Sequence, residues 1–313
     1  MKIAFLFPGQ GSQAVGMGHS LSEAFPQARA VFEAADQALG SSLSGLCFNG
    51  PEDELKLTEN TQPALLTTSI AALRVLSARG VSAKGVAGHS LGEYSALVAA
   101  GALPFAEAVR TVRLRGRYMQ EAVPVGRGAM AAILMLDAVK VEEACREAAQ
   151  DEVVSPANLN CPGQIVIAGD AAAVDRAIAA CNARGAKRAI RLAVSAPFHC
   201  DLMKPAEVRL EADLQGLEFE TASIPVYRNI DGAPRTSAES LRDGLVRQVC
   251  LPVQWQKTLE AMSADGFDTF IEVGSGTVVS GLVRKTLKGA RVLNVEDPSS
   301  LEKTLQALQG PGC

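Results

Sequence analysis

Residues 3–7 (IAFLF) form an unbroken apolar run that Pro8 stops, and glycine then recurs at positions 9, 11, 16 and 18. So short and continuous a run predicts a strand buried on both faces. Residues 84–88 read as a short buried strand, and the segments IPVYRN, DTFIEV and RVLNVE read as strands. Between these runs the apolar spacing follows helical periodicity. Helices are predicted over 27–39, ending at Gly40, and over 62–78, with Pro63 in the first turn and Gly80 beyond the end. Further helices are predicted over 91–100, 105–121, 238–249, 254–264 and 277–287. Strands alternating with helices predict a mostly parallel sheet covered on both faces, an α/β fold.

The middle of the chain breaks that rhythm. Residues 129–136 read as a strand and 139–150 as an amphipathic helix. Residues 153–160 and 164–169 read as two strands joined at Cys161-Pro162-Gly163, followed by a helix over 171–185 and a strand over 187–194. The order β-α-β-β-α-β is that of a ferredoxin-like unit. It is framed by Gly126 and Gly128 on one side and Ser195-Ala196-Pro197 on the other. The expected organisation is therefore an α/β domain over 1–125 and 196–313, interrupted by a ferredoxin-like βαββαβ subdomain over 126–195.

Composition narrows the function classes. A net charge of −4 on 313 residues gives no global field toward nucleic acid or an acidic membrane. No apolar run reaches the ~18 residues of a spanning helix, and the N-terminal run is too short for a secretory signal. The seven cysteines are scattered and form no C-x-x-C pair, which argues against a disulfide framework or a zinc site and for a reducing cytoplasm. No metal and no cofactor is implied. Histidine occurs only at 19, 89 and 199, so histidine chemistry has few candidates.

The strongest local signal is Gly88-His89-Ser90-Leu91-Gly92, a G-x-S-x-G pattern between an apolar strand and a helix of small residues. A tight strand-to-helix turn needs glycine on both sides of its apex, and that turn presents the apex hydroxyl at a helix N-terminus. The plainer reading is a serine N-cap between packing glycines. A serine nucleophile needs a base. His89 leaves the turn in another direction, and His19 belongs to the surface. His199, in SAPFHCD at the return from the inserted unit, is the base by elimination. Cys200 beside it carries no sign of activation.

Gly9-Gln10-Gly11-Ser12-Gln13-Ala14 fits a loose dinucleotide fingerprint, but the stretch where an acidic strand end should follow is helical in pattern. An acyl-transferring serine instead needs backbone N–H donors for an oxyanion. Leu91, after the serine, supplies one, and Gln10, on a turn freed by flanking glycines, suits the other. On the helix over 105–121, Arg110, Arg113 and Arg117 project away from the apolar face, whereas Arg115 lies at its edge. An inward guanidinium needs an acidic partner, so Arg115 is half of an internal salt bridge, a stem lying over the core with its head in water, or a bidentate clamp for a substrate carboxylate. Spacing alone leaves all three open.

Taken together, FPGQGSQ (7–13), GHSLGEYSAL, RLRGRYMQEAVP, NLNCPGQIVIAG, the His199 segment and VRQVCLPVQW resemble the malonyl-CoA:acyl carrier protein transacylase family in order along nearly the whole chain. The resemblance implies an α/β-hydrolase-like main domain with a ferredoxin-like insert. It also implies transfer of malonyl from malonyl-CoA to Ser90, then to the phosphopantetheine thiol of an acyl carrier protein, in fatty acid biosynthesis. His199 would be the base, Gln10 and Leu91 the oxyanion donors, Arg115 the carboxylate clamp, the Gln248 carbonyl the histidine's orienting group, and Asn160 a cleft residue. Phe198, next to the base, is expected to wall the acyl pocket. An acidic carrier protein calls for a basic patch, and Arg184, Lys187, Arg188 and Arg191 form the densest cluster. Competing readings are an acyltransferase serving a polyketide synthase, a serine thioesterase or esterase, and a carrier-binding module without activity.

Overall fold

A computed structural model describes residues 1–192 and 196–310. Among these residues ten strands fall in two sheets: β1 (Ile3–Phe7), β2 (Gly85–Gly88), β3 (Gly128–Leu134), β4 (Val154–Cys161), β5 (Gln164–Asp170), β6 (Arg188–Arg191), β7 (Val226–Tyr227), β8 (Pro234–Arg235), β9 (Thr269–Val273) and β10 (Arg291–Val295). The larger sheet has the order β10-β9-β1-β2-β7-β8. It is parallel apart from β8. Side chains alternate along β1, so Phe5 and Phe7 pack with Leu65, Ile70 and Leu97 on one face, while Ala4 and Leu6 pack with Trp255, Leu259 and Leu282 on the other. Both faces are thus covered, as the unbroken apolar runs require.

The second sheet, β4-β5-β3-β6, is antiparallel throughout. One face packs Ile133, Ile165 and Ile167 against Val141, Cys145, Val174 and Cys181 of helices Ala138–Ala149 and Ala171–Ala183. The other face turns Met130 and Val166 toward the larger core. Strand β4 is tied back to the segment preceding Trp255: Leu159 N–H donates to the Val253 carbonyl (2.9 Å), and Val253 N–H to the Ala157 carbonyl (2.8 Å). Those bonds close one wall of a cleft between the sheets.

Two expectations need correction. The helix predicted over 62–78 runs Thr58–Ala78, so Pro63 lies inside it rather than in its first turn. The ring removes one helical hydrogen bond. Every residue from Thr61 to Leu73 is buried, however, and packing of that kind outweighs the local cost. IPVYRN supplies only the two-residue β7, because the chain turns away at Arg228 and Asn229. Of the strand expected over 187–194, β6 accounts for Arg188–Arg191, while Ala193, Val194 and Ser195 lie outside the described residues, as does Cys313. Among the described residues no helix is long and apolar enough to cross a membrane.

Candidate active site

The turn after β2 is built by close approach. A Cβ on Gly88 would fall 1.9 Å from the Gly92 carbonyl carbon, and one on Gly9 would fall 2.4 Å from the His89 oxygen. Glycine at these positions lets the strand double back into helix Gly92–Ala99 and lets the N-terminal turn lie against it. Ser90 sits at the apex with φ of 50°, a left-handed conformation that costs a non-glycine residue on the order of 1–3 kcal/mol. His199, in its own loop, has φ of 60°. Ser90 N–H is engaged by Asn229 Oδ1 at 2.7 Å. Among the described residues the N–H groups of Gln10 and Leu91 meet no protein acceptor, which leaves both for an oxyanion.

Ser90 Oγ lies 2.7 Å from His199 Nε2. His199 Nδ1 lies 2.8 Å from the Gln248 carbonyl, which can only accept. Nδ1 therefore carries the proton, Nε2 is the acceptor, and Ser90 donates its hydroxyl proton to it. Burial, reinforced by the charge of Arg115 and opposed by the Gln248 carbonyl, pushes the imidazole down to about 3. The ring is accordingly a neutral, proton-accepting base across the physiological range. NMR of labelled histidine should show the His199 ring unprotonated from pH 8 to pH 5. Arg115→Ala should move its titration upward, since a repelling cation is removed. A midpoint near the ordinary ~6.5 in the unmutated protein would contradict this geometry. Cys200, pushed up to about 12 by burial, stays a thiol.

Arg115 is 2% exposed and projects from helix Phe105–Glu121 beneath the serine. The acidic partner expected for it is absent from its direct contacts among the described residues. Nη1 donates to Gln62 Oε1 (2.8 Å), and Nη2 donates to Gln248 Oε1 (3.0 Å) and Ser90 Oγ (3.3 Å). The nearest carboxylate stands one amide away, where Gln248 Nε2 donates to Glu93 Oε2 at 2.7 Å. Burial pushes Glu93 up to about 7. A buried guanidinium held by neutral oxygens, with one nitrogen on Ser90 Oγ, retains capacity to bind an anion there.

Above this group lies a cavity of about 610 Å³, lined by Gln10, Ser90, Asn160, Phe198 and His199 together with apolar Met130 and Leu282. Asn160 Oδ1 accepts from His89 Nε2 at 2.8 Å, so that nitrogen is engaged with the cleft wall and not with Ser90 Oγ. His19 lies at the surface beside Glu23. A separate hollow of about 360 Å³ beside Arg74 and Phe105 contains no nucleophile. The basic cluster lies outside the cleft lining and is partly neutralised. Arg184 pairs with Glu147 and Arg191 with Asp175, whereas Lys187 and Arg188 have no ion pair among the described residues. Sequence reasoning missed Gln62, Glu93 and Asn229. Only Glu93 carried a signal, as the sole charge in an otherwise apolar helix of small residues. Among the described residues no cluster of three His, Cys, Asp or Glu could hold a metal ion.

The acyl transferase domain family matches residues 4–303. The chain is 49% identical over 306 residues to the malonyl CoA-acyl carrier protein transacylase of Escherichia coli (strain K12), covering 97% of this chain and 99% of that protein. Among solved structures it resembles an acyl carrier protein S-malonyltransferase from Vibrio cholerae, with TM-score 0.95, 47% identity, and coverage of 97% of this chain and 100% of that one. It likewise resembles a malonyl-transacylase solved in complex with its type II polyketide synthase acyl-carrier protein, with TM-score 0.96, 47% identity, and coverage of 98% and 100%.

Proposed function

Because this chain belongs to the acyl transferase domain family, we propose that it moves a malonyl group from coenzyme A to the phosphopantetheine thiol of an acyl carrier protein, through an ester on Ser90. The observation that carries this reading is the position of Ser90 Oγ, between a neutral imidazole at 2.7 Å and a buried guanidinium at 3.3 Å. An esterase has use for the first contact. Only a substrate with an anionic acyl group has use for the second.

As Ser90 Oγ attacks the thioester carbon, its proton passes to His199 Nε2. The oxyanion forms on the Gln10 and Leu91 N–H groups. Collapse breaks the carbon–sulfur bond, and coenzyme A leaves with the proton from His199. The malonyl carboxylate rests on Arg115. In the second half the carrier's thiol gives its proton to His199 and attacks the ester carbon. Ser90 then departs and recovers the proton. His199 works here with its Nδ1 oriented by the Gln248 carbonyl rather than by a carboxylate among the described residues. Phe198 walls the acyl pocket, and Asn160 lines it. No step calls on a metal or cofactor.

The architecture belongs to the same proposal. Residues 1–125 and 196–313 form an α/β-hydrolase-like catalytic domain, and 126–195 a ferredoxin-like insert, a reading supported by the strand orders of the two sheets. A cytoplasmic setting agrees with the six described cysteines, all unpaired. The pathway we favour is fatty acid synthesis. The resemblance to a transacylase with its polyketide carrier makes that second pathway worth a parallel arm.

The test is transfer of labelled malonyl from coenzyme A to holo-carrier proteins of both kinds, with mass spectrometry of the enzyme. A malonyl adduct that persists until a carrier thiol arrives supports the transferase, and rapid release of free malonate supports an esterase. In that assay, charge reversal at Lys187 and Arg188, the unpaired half of the basic cluster, is expected to raise KM for the carrier and weaken its salt dependence. An unchanged KM puts the docking surface elsewhere.

A further inference from the structure

Strand β2 pairs with β7 in the register Val86↔Val226 and Ala87↔Tyr227, with Val86 N–H on the Pro225 carbonyl at 2.9 Å. Continuing that register brings Asn229 opposite His89. A parallel ladder would then carry two more rungs, from Asn229 N–H to the Gly88 carbonyl and from Ser90 N–H to the Asn229 carbonyl. Neither main-chain bond forms. The Asn229 side chain makes both: Nδ2 donates to the Gly88 carbonyl at 2.8 Å, and Oδ1 accepts from Ser90 N–H at 2.7 Å.

The displaced main-chain groups are each taken up. Asn229 N–H donates to Glu93 Oε2 at 3.0 Å, and the Asn229 carbonyl accepts from Gln254 N–H at 2.8 Å. Glu93 Oε2 also receives Gln248 Nε2, which contacts the Ser90 carbonyl at 3.1 Å as well. Asn229 is fully buried and Glu93 is 1% exposed, so water replaces none of these bonds. A ladder continued by main chain would hold His89 and Ser90 in extended geometry. A carboxamide reaches the same two groups while the backbone bends away, and so permits the left-handed φ at Ser90.

We infer that Asn229 is a positioning residue for the nucleophile, its carboxamide replacing its own main chain at the last two rungs beside Ser90, with Glu93 fixing it in place. The bond also turns Ser90 N–H away from the reacting carbonyl and leaves the next N–H, that of Leu91, for the oxyanion. This inference rests on Ser90 being the acylated residue.

The test is single-turnover acylation by malonyl-CoA, followed by mass spectrometry. Malonyl-CoA binding is measured alongside in a Ser90→Ala background. Asn229→Ala and Asn229→Asp, the latter retaining an oxygen but lacking the donor for Gly88, are both expected to slow acylation by about 10²-fold, the scale of a misplaced reacting group. Binding should stay within about threefold, since Arg115 is untouched. Glu93→Ala probes the same geometry without altering Asn229 and should also slow acylation. Glu93→Gln, which keeps an acceptor oxygen, should lose far less. Folded Asn229→Ala protein acylated at the unmutated rate overturns the inference, as does a loss of rate matched by an equal loss of binding. If Asn229→Ala does not fold, full-rate acylation of Glu93→Ala overturns it instead. Absence of a Ser90 adduct in the unmutated protein would overturn the proposed function itself, a result distinct from either.

Discussion

Ser90→Ala is expected to abolish the malonyl-enzyme and with it all transfer to the carrier, a loss on the order of 10⁶ in rate. The hydroxyl is the only atom removed, and its contacts are the proton-accepting nitrogen of His199 and a weak bond from Arg115. The turn itself is held by the Asn229 carboxamide and by close packing at Gly88, neither of which involves the hydroxyl. The variant should therefore fold and bind malonyl-CoA while staying unlabelled. Intact-mass spectra after incubation with malonyl-CoA decide the matter. A variant that still acquires a malonyl group would move the nucleophile to another residue.

Arg115→Ala should separate two substrates that differ only in a carboxylate. Losing one partner of a buried charge pair typically costs about 2–5 kcal/mol, so kcat/KM for malonyl-CoA should fall by roughly 30- to 5,000-fold. Acetyl-CoA, which offers no anion, should be affected far less, and the preference for malonyl should collapse. Arg115→Lys should recover little. The two amide oxygens of Gln62 and Gln248 hold a planar fork, and a point charge on a shorter reach cannot meet both of them and a carboxylate. Equal losses with the two thioesters would make Arg115 a structural cation.

Strand β1 was legible because its apolar run is uninterrupted, and Phe105–Glu121 was legible to the residue because its stripe is clean. Helix Lys204–Gln215 and helix Pro298–Gln309 went unseen. In both, a few buried positions such as Leu210, Leu214 and Leu301 are spread among polar residues, and burial against neighbouring elements decides the fold. The Ser90 turn was readable because it demands glycines at fixed offsets. His199 followed only because histidine is scarce. Arg115 was placed at the apolar edge of its helix, but spacing could not choose between an internal salt bridge and a clamp for a substrate carboxylate. Periodicity tells which way a side chain points, and the neutral oxygens that meet it come from positions 62 and 248. Asn229 could not be read at all, since its role depends on a register that exists only once β2 and β7 are paired.

The placement of β1 between β2 and β9 has a consequence for the order in which the molecule can assemble. Its partner on one side begins at Gly85, but on the other side it pairs Ile3 with Thr269, a separation of 266 residues. At translation rates of roughly 5–20 residues per second, β1 waits about 13–53 s after emerging before β9 exists. For that interval the nascent chain carries a fully apolar strand with at least one open edge, the template on which unrelated chains aggregate. The Gly9–Gln10 turn at its end cannot be fixed until the sheet closes. A ribosome-associated chaperone that shields β1 should therefore raise the yield of active protein far more than one added after release.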